Sequence, residues 1–211
     1  MEKQTTIAPK GSQEKLTGLR KMAGSYITKL FVQPLAKTKI TPNTVSWFGF
    51  LLTLGTAWLI LAGQLFIAGF AVIFSGLFDI LDGALARNTN QVTKFGGILD
   101  STLDRASEAV LLLSLLPLYS SQKSNLGIAF VGLAMVGSYL VSYIRARAEG
   151  AGIQCEVGIL TRPERVVIFA VGLILSRVNL VFITIALGII VVFSFITAGQ
   201  RLYHCMRESK K

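Results

Sequence analysis

Long apolar runs alternate with short polar joints along this chain, and most of the runs have the length of a membrane crossing. A bilayer core needs about 20 apolar residues per helix. Residues 45–62 carry no charge, and the run reaches back to Pro42. Residues 65–81 are apolar except for Asp79. Residues 97–119 begin polar and become strongly apolar from Ala109. Residues 126–144 and 178–200 are uncharged, and the short run 166–176 extends back to Pro163. The pattern predicts six spanning helices and an all-α, polytopic membrane protein. Thr41-Pro42 predicts the start of the first, as an N-cap followed by proline at the first helical position. In residues 14–39, Leu16, Leu19, Met22, Ile27, Leu30 and Phe31 are interleaved with Lys15, Arg20, Lys21 and Lys29. That segment is expected to be an amphipathic interfacial helix on the anionic inner leaflet. The expected organisation is an arm over 1–40, a six-helix membrane domain over 41–203 and a tail over 204–211.

Composition agrees with a chain set in lipid. Of 211 residues, 52% are hydrophobic and 15% charged, against about 25% charged in soluble domains. Charge placement then orients the spans. Nineteen of the 21 Lys and Arg lie in the arm, around the joints after the second and fourth spans, and in the tail. Only Lys123 and Arg177 fall on the other side. The positive-inside rule places both termini in the cytoplasm, in the cell membrane. The first forty residues lack an apolar stretch with a small-residue cleavage site, so no signal peptide is expected. Membrane lipids are expected partners and nucleic acid is not. Cys155, Cys205 and His204 show no metal-site spacing.

The chemistry concentrates between Asp79 and Asp104. Asp79 and Asp82 are three apart and Asp100 and Asp104 four apart, so each pair shares one helix face. Gly83 and Ala86 continue the first face with small residues. Two successive helices thus present paired carboxylates near the cytoplasmic boundary, where charge is costly and marks a functional site. Four facing carboxylates repel unless protonated or neutralised. Arg87, Lys94 and Arg105 can neutralise part of the charge. Hard divalent cations, Mg²⁺ or Mn²⁺, suit oxygen ligands better. Two such ions would clamp a diphosphate, and one carboxylate could take a proton from an attacking hydroxyl. A salt-bridged helix pair would need basic residues at matching helical spacing, and no such run is present. An ion pathway or transporter would spread acids through the membrane, whereas these four fall within 26 residues.

The run Asp79-x2-Asp82-Gly83-x2-Ala86-Arg87-x8-Gly96-x3-Asp100-x3-Asp104 resembles the signature of the CDP-alcohol phosphotransferases, and the likeness extends over the whole chain. The resemblance implies transfer of a substituted phosphate from a CDP-activated lipid to an alcohol, with two metal ions per active site. By residue, it implies Asp79, Asp82, Asp100 and Asp104 as metal ligands, with Asp104 also the general base. It implies contacts to the CDP moiety from Gly83, Arg87 and Thr93, and from the stretch Asn43, Thr44, Val45 and Ser46. It also implies a homodimer. Helix N-termini favour phosphate on physical grounds as well; for Thr93 and that stretch, ordinary capping explains the residues equally.

Basic residues outside the signature bear on the acceptor. Arg145 and Arg147 end the fourth span, Arg162 and Arg165 open the fifth, and Arg201 ends the sixth. Thr161 and Glu164 form a capping-box pattern. Guanidinium groups bind phosphate bidentately, so an acceptor that already carries phosphate suits them; positive-inside bias accounts for some. The segments around Arg145 and over 162–165 resemble one branch, the phosphatidylinositol phosphate synthases and archaetidylinositol phosphate synthases. That branch implies CDP-diacylglycerol or CDP-archaeol as donor and inositol 1-phosphate as acceptor, its phosphate held by Arg145, Arg162, Arg165 and Arg201. Actinobacterial members often have lysine at the position of Arg145. Phosphatidylglycerophosphate synthesis, with glycerol 3-phosphate, is the alternative.

Overall fold

Seven helices follow one another between Pro42 and Glu208 in the computed structural model, which describes Val32 and residues 40–210. Except for Val32, the expected amphipathic helix over 14–39 lies outside the described residues. The helices are α1 (Pro42–Leu61), α2 (Leu65–Asn88), α3 (Lys94–Leu113), α4 (Leu116–Ser121), α5 (Asn125–Gly150), α6 (Arg162–Leu175) and α7 (Val181–Glu208). There is no strand among the described residues.

Local chemistry sets several of the starts. Thr41 Oγ1 accepts from the Thr44 N–H at 3.3 Å, with Pro42 in the first turn of α1. Thr93 Oγ1 accepts from the Gly96 N–H at 2.9 Å and caps α3. The expected capping box opens α6: the Thr161 N–H donates to the Glu164 carboxylate at 2.9 Å. The third apolar run is not one helix. It breaks at Ser114-Leu115, because Pro117 has no N–H to continue the ladder and opens α4 instead. Elsewhere the helices outrun the apolar segments. α2 continues to Asn88, α5 to Gly150 and α7 to Glu208, so residues 204–208, placed in a tail by hydropathy, are helical. Hydropathy marks where lipid ends, and hydrogen bonding carries a helix on into water.

Four helices, α1, α2, α5 and α7, are long and apolar enough to cross a bilayer. The other two predicted spans differ for physical reasons. α3 carries Lys94, Asp100, Asp104, Arg105 and Glu108 in its first four turns. α6 has 14 residues, about 21 Å at 1.5 Å per residue.

α1 turns large apolar side chains outward and smaller, more polar ones inward. α1 buries Ser46, Gly49, Thr53 and Thr56 while Trp47, Phe48, Leu51 and Trp58 are exposed. The buried hydroxyls are satisfied within the helix: Thr53 donates to Gly49 O at 3.1 Å and Thr56 to Leu52 O at 2.9 Å. Lipid offers little hydrophobic drive for helix association, so close packing at small residues carries it. α1 packs on α2 and α3, α2 on α6, and α7 on α5 and α6. The core between them includes Val72, Leu112, Leu115, Phe169, Leu173 and Leu187. At Gly69 the approach of α2 to α6 leaves no room for a side chain. A Cβ there would lie 2.6 Å from Ile174 Cγ1 and 2.9 Å from the Ala170 carbonyl oxygen. Gly69→Val is expected to cost about 1–3 kcal/mol through overpacking, read as a lower thermal midpoint of the detergent-purified protein.

Candidate functional site

α1 positions the two acidic segments. Asp79 and Asp82 sit on α2 and Asp100 on α3, and all three line a cavity of about 580 Å³ with Asn43 and Ser46 of α1. Gly83, Arg87, Thr93 and Gly96 complete much of its wall. The small residues let neighbouring polar side chains approach the backbone closely there. A Cβ on Gly83 would lie 3.4 Å from Arg87 Nη1, so the guanidinium folds over the bare backbone. A Cβ on Gly96 would lie 3.0 Å from Thr93 Oγ1 and 3.2 Å from Asn43 Oδ1. The N-termini of α1 and α3 therefore converge at this cavity, with free N–H groups and favourable dipoles for an anion. Ser46 Oγ donates to Asp82 Oδ2 at 2.5 Å.

The stretch at the start of α1 divides. Asn43 and Ser46 line the cavity. Thr44 is exposed and its hydroxyl bonds Thr41 Oγ1 at 2.9 Å. Val45 is buried with Val32, Leu81, Ala84 and Leu85. Helical geometry explains the split, since residues three apart share a face and their neighbours turn away.

A second cavity, of about 1470 Å³, opens between α3, α5, α6 and α7. Asp100 and Asp104 line it, as do Arg145, Arg162, Arg165 and Arg201. Gly97 and Asp100 belong to both cavities, so the two meet at the carboxylates. Arg162 stands beside that junction. Its Nη2 lies 2.8 Å from Asp79 Oδ2 and its Nη1 lies 2.7 Å from Asp104 Oδ1. Its Nε is buried with no hydrogen-bond partner among the described residues.

Arg201 and Arg165 are held from inside the protein. Arg201 donates through Nε to Val157 O at 2.9 Å and through Nη1 to Val141 O at 2.6 Å. Arg165 pairs through two nitrogens with Glu108, a residue that sequence reasoning passed over. Its signal was the continuation of one α3 face at spacing four: Asp100, Asp104, Glu108. Arg145 is half exposed and bonds Glu149 at 2.7 Å, one turn on. Cys155 and Cys205 are free thiols whose sulfurs lie 3.8 Å apart, a proximity their separation in sequence concealed.

Four carboxylates around one junction form a hard-oxygen donor set, and their charges interact across the cleft, Asp100 with Asp79 and Asp82. Among the described residues no three His, Cys, Asp or Glu side chains already enclose a single point. Asp79 and Asp104 face Arg162, and Asp82 faces Ser46. The donor chemistry nonetheless fits divalent cations. Helix N-termini and glycines share the wall of the first cavity with three of these carboxylates, and the wall of the second is rich in arginine.

The chain is similar to known proteins over most of its length. An archaetidylinositol phosphate synthase of Pyrococcus horikoshii is 38% identical over 84% of this chain and 87% of that protein. A phosphatidylinositol phosphate synthase of Mycobacteroides abscessus is 34% identical over 87% of this chain and 84% of that protein. The crystal structure of Mycobacterium tuberculosis phosphatidylinositol phosphate synthase with CDP-DAG bound superimposes with a TM-score of 0.77 at 33% identity. It covers 85% of this chain and 94% of that chain. The same protein in complex with manganese and citrate also gives 0.77, over 85% and 89% of the two chains. Residues 39–197 match the CDP-alcohol phosphatidyltransferase model. With three quarters of its length inside that match, and the acidic signature placed at the junction of two cavities, the chain belongs to the CDP-alcohol phosphatidyltransferase family.

Proposed function

We propose that this enzyme transfers the phosphatidyl or archaetidyl group of a CDP-lipid to inositol 1-phosphate and releases CMP. The observation that carries the reading is the meeting of two cavities at Asp100: helix N-termini and glycines line one, and five arginines, Arg105, Arg145, Arg162, Arg165 and Arg201, line the other. The names of the relatives at 31–38% identity support the same acceptor.

In this reading Asn43, Ser46, Gly83, Arg87 and Thr93 hold the nucleotide and its diphosphate in the smaller cavity. Thr44 and Val45 serve the same end indirectly, by capping and packing the start of α1. Asp79, Asp82, Asp100 and Asp104 hold two divalent ions, Mg²⁺ or Mn²⁺. When bound, these ions neutralise the diphosphate and the charge that develops on the departing CMP. Arg145, Arg162, Arg165 and Arg201 hold the acceptor phosphate, and the unpartnered Nε–H of Arg162 gives an oxygen ligand a donor. Asp104, on the acceptor side of the junction, takes the proton of the attacking hydroxyl, which adds to the phosphorus next to the lipid. The lipid tails remain in the bilayer. The distribution of basic residues supports an active site and both termini on the cytoplasmic side, which requires α3 and α6 to cross along with the four longer apolar helices.

An acceptor screen tests the assignment. Purified protein in lipid nanodiscs with Mg²⁺ and CDP-diacylglycerol or CDP-archaeol is offered inositol 1-phosphate, inositol or glycerol 3-phosphate. CMP release is expected with inositol 1-phosphate and not with inositol. Release with glycerol 3-phosphate alone would defeat the acceptor assignment.

A further inference from the structure

Glu108 stands outside the acidic signature, one turn beyond Asp104 on α3, and its side chain is 13% exposed against 2% for its partner Arg165. Arg165 Nε donates to Glu108 Oε1 at 2.6 Å and Nη2 donates to Oε2 at 2.9 Å. That is a side-on bidentate pair. A guanidinium carries five N–H donors in a rigid plane. Side-on pairing uses Nε and one N–H of Nη2, so the terminal Nη1–Nη2 edge keeps its donors. Its further contact, Nη1 to Leu160 O, is long at 3.5 Å. Glu108 and Arg165 both line the larger cavity, beside Arg162 and Arg201.

The same two helices carry a second rung. Arg162 of α6 reaches Asp104 of α3 at 2.7 Å. Arg162 and Arg165 are three apart, and Asp104 and Glu108 are four apart, so each arginine has its own carboxylate. A buried arginine without a partner is strongly disfavoured. Without the charge of Glu108, the carboxylate next along that face of α3 is Asp104 itself.

We propose that Glu108 is a positioning residue for the phosphorylated acceptor: it grips Arg165 by one edge, aims the other edge into the acceptor cavity, and keeps Arg165 from pairing with Asp104. This rests on the acceptor reading above.

The full chain in nanodiscs, with CDP-diacylglycerol, Mg²⁺ and inositol 1-phosphate, gives the test. Glu108→Gln is expected to raise KM for inositol 1-phosphate about 10- to 100-fold, the effect of loosening one charged hydrogen-bonding group. KM for the CDP-lipid is expected to stay within about threefold, because uniform loss of binding is confined to one substrate. Glu108→Asp, which keeps the charge on a shorter arm, is expected to recover part of the loss. In an Arg165→Gln background, Glu108→Gln is expected to add less than about twofold, as two residues acting as one unit should. An unchanged acceptor KM in Glu108→Gln would overturn the proposal. So would a parallel rise in both KM values with a lowered thermal midpoint, the mark of a merely structural pair. If Glu108→Gln does not purify folded, the acceptor KM of Glu108→Asp decides, an unchanged value overturning the proposal. If the unsubstituted chain accepts only glycerol 3-phosphate, the acceptor reading fails, and the same comparison with that acceptor still decides the role of Glu108.

Discussion

Asparagine in place of Asp104 is expected to lower CMP release by about 10²–10⁴-fold, the range for loss of a positioned general base. The substitution keeps the shape of the side chain and removes its ability to accept a proton. The fold is expected to survive it. Asp104 lies on α3, and its partner Arg162 keeps Asp79 at 2.8 Å when the bond to Asp104 weakens. The core at Leu112, Leu115, Phe169 and Leu173 lies further along the helices and is untouched. Single-turnover CMP release together with size-exclusion and circular dichroism profiles separates the two effects. A monodisperse, helical Asp104→Asn protein with unchanged turnover would remove Asp104 as the base.

The second large effect is expected from removing divalent cations. Chelation should reduce CMP release on the order of 10³-fold, since metal ions supply several kcal/mol of charge stabilisation to such a transfer. Mg²⁺ or Mn²⁺ added in excess of chelator should restore it. The physical ground is the repulsion among Asp79, Asp82, Asp100 and Asp104. Among these, Arg162 reaches Asp79 and Asp104, while Asp82 is met by the Ser46 hydroxyl, which carries no charge. An anionic diphosphate entering beside Asp79, Asp82 and Asp100 would meet like charge unless cations lie between. Turnover that continues in chelator would contradict the metal-assisted account and reopen the reading of the acids as a salt-bridged helix pair.

The features legible in the sequence were those set by local spacing. The pairs Asp79/Asp82 and Asp100/Asp104 had to share helix faces, and Thr41-Pro42 and Thr161/Glu164 had to open helices. Features set by lipid were half legible. Apolar runs located the helices but not their ends, because α2, α5 and α7 continue past the apolar stretch, and Pro117 divides the third run. Two predicted spans, α3 and α6, do not stand out as apolar crossings: α3 is long enough but carries charged site residues, and α6 has only 14 residues. Partners distant in sequence were not legible. Glu108 meets Arg165 from another helix, and Val141 and Val157 hold Arg201 through carbonyls that every residue possesses. Composition gives no sign of a contact made by backbone oxygen. The nearness of Cys155 and Cys205 was hidden by their separation in sequence.

The most direct measurement follows both products of one reaction. The purified chain is incubated with CDP-diacylglycerol, inositol 1-phosphate and Mg²⁺, CMP is quantified, and the lipid extract is weighed by mass spectrometry. Equal amounts of CMP and a phosphatidylinositol phosphate, both absent when either metal or acceptor is omitted, are the predicted result. CMP formed without a matching phosphodiester lipid, or no CMP with any phosphorylated alcohol, would contradict the account.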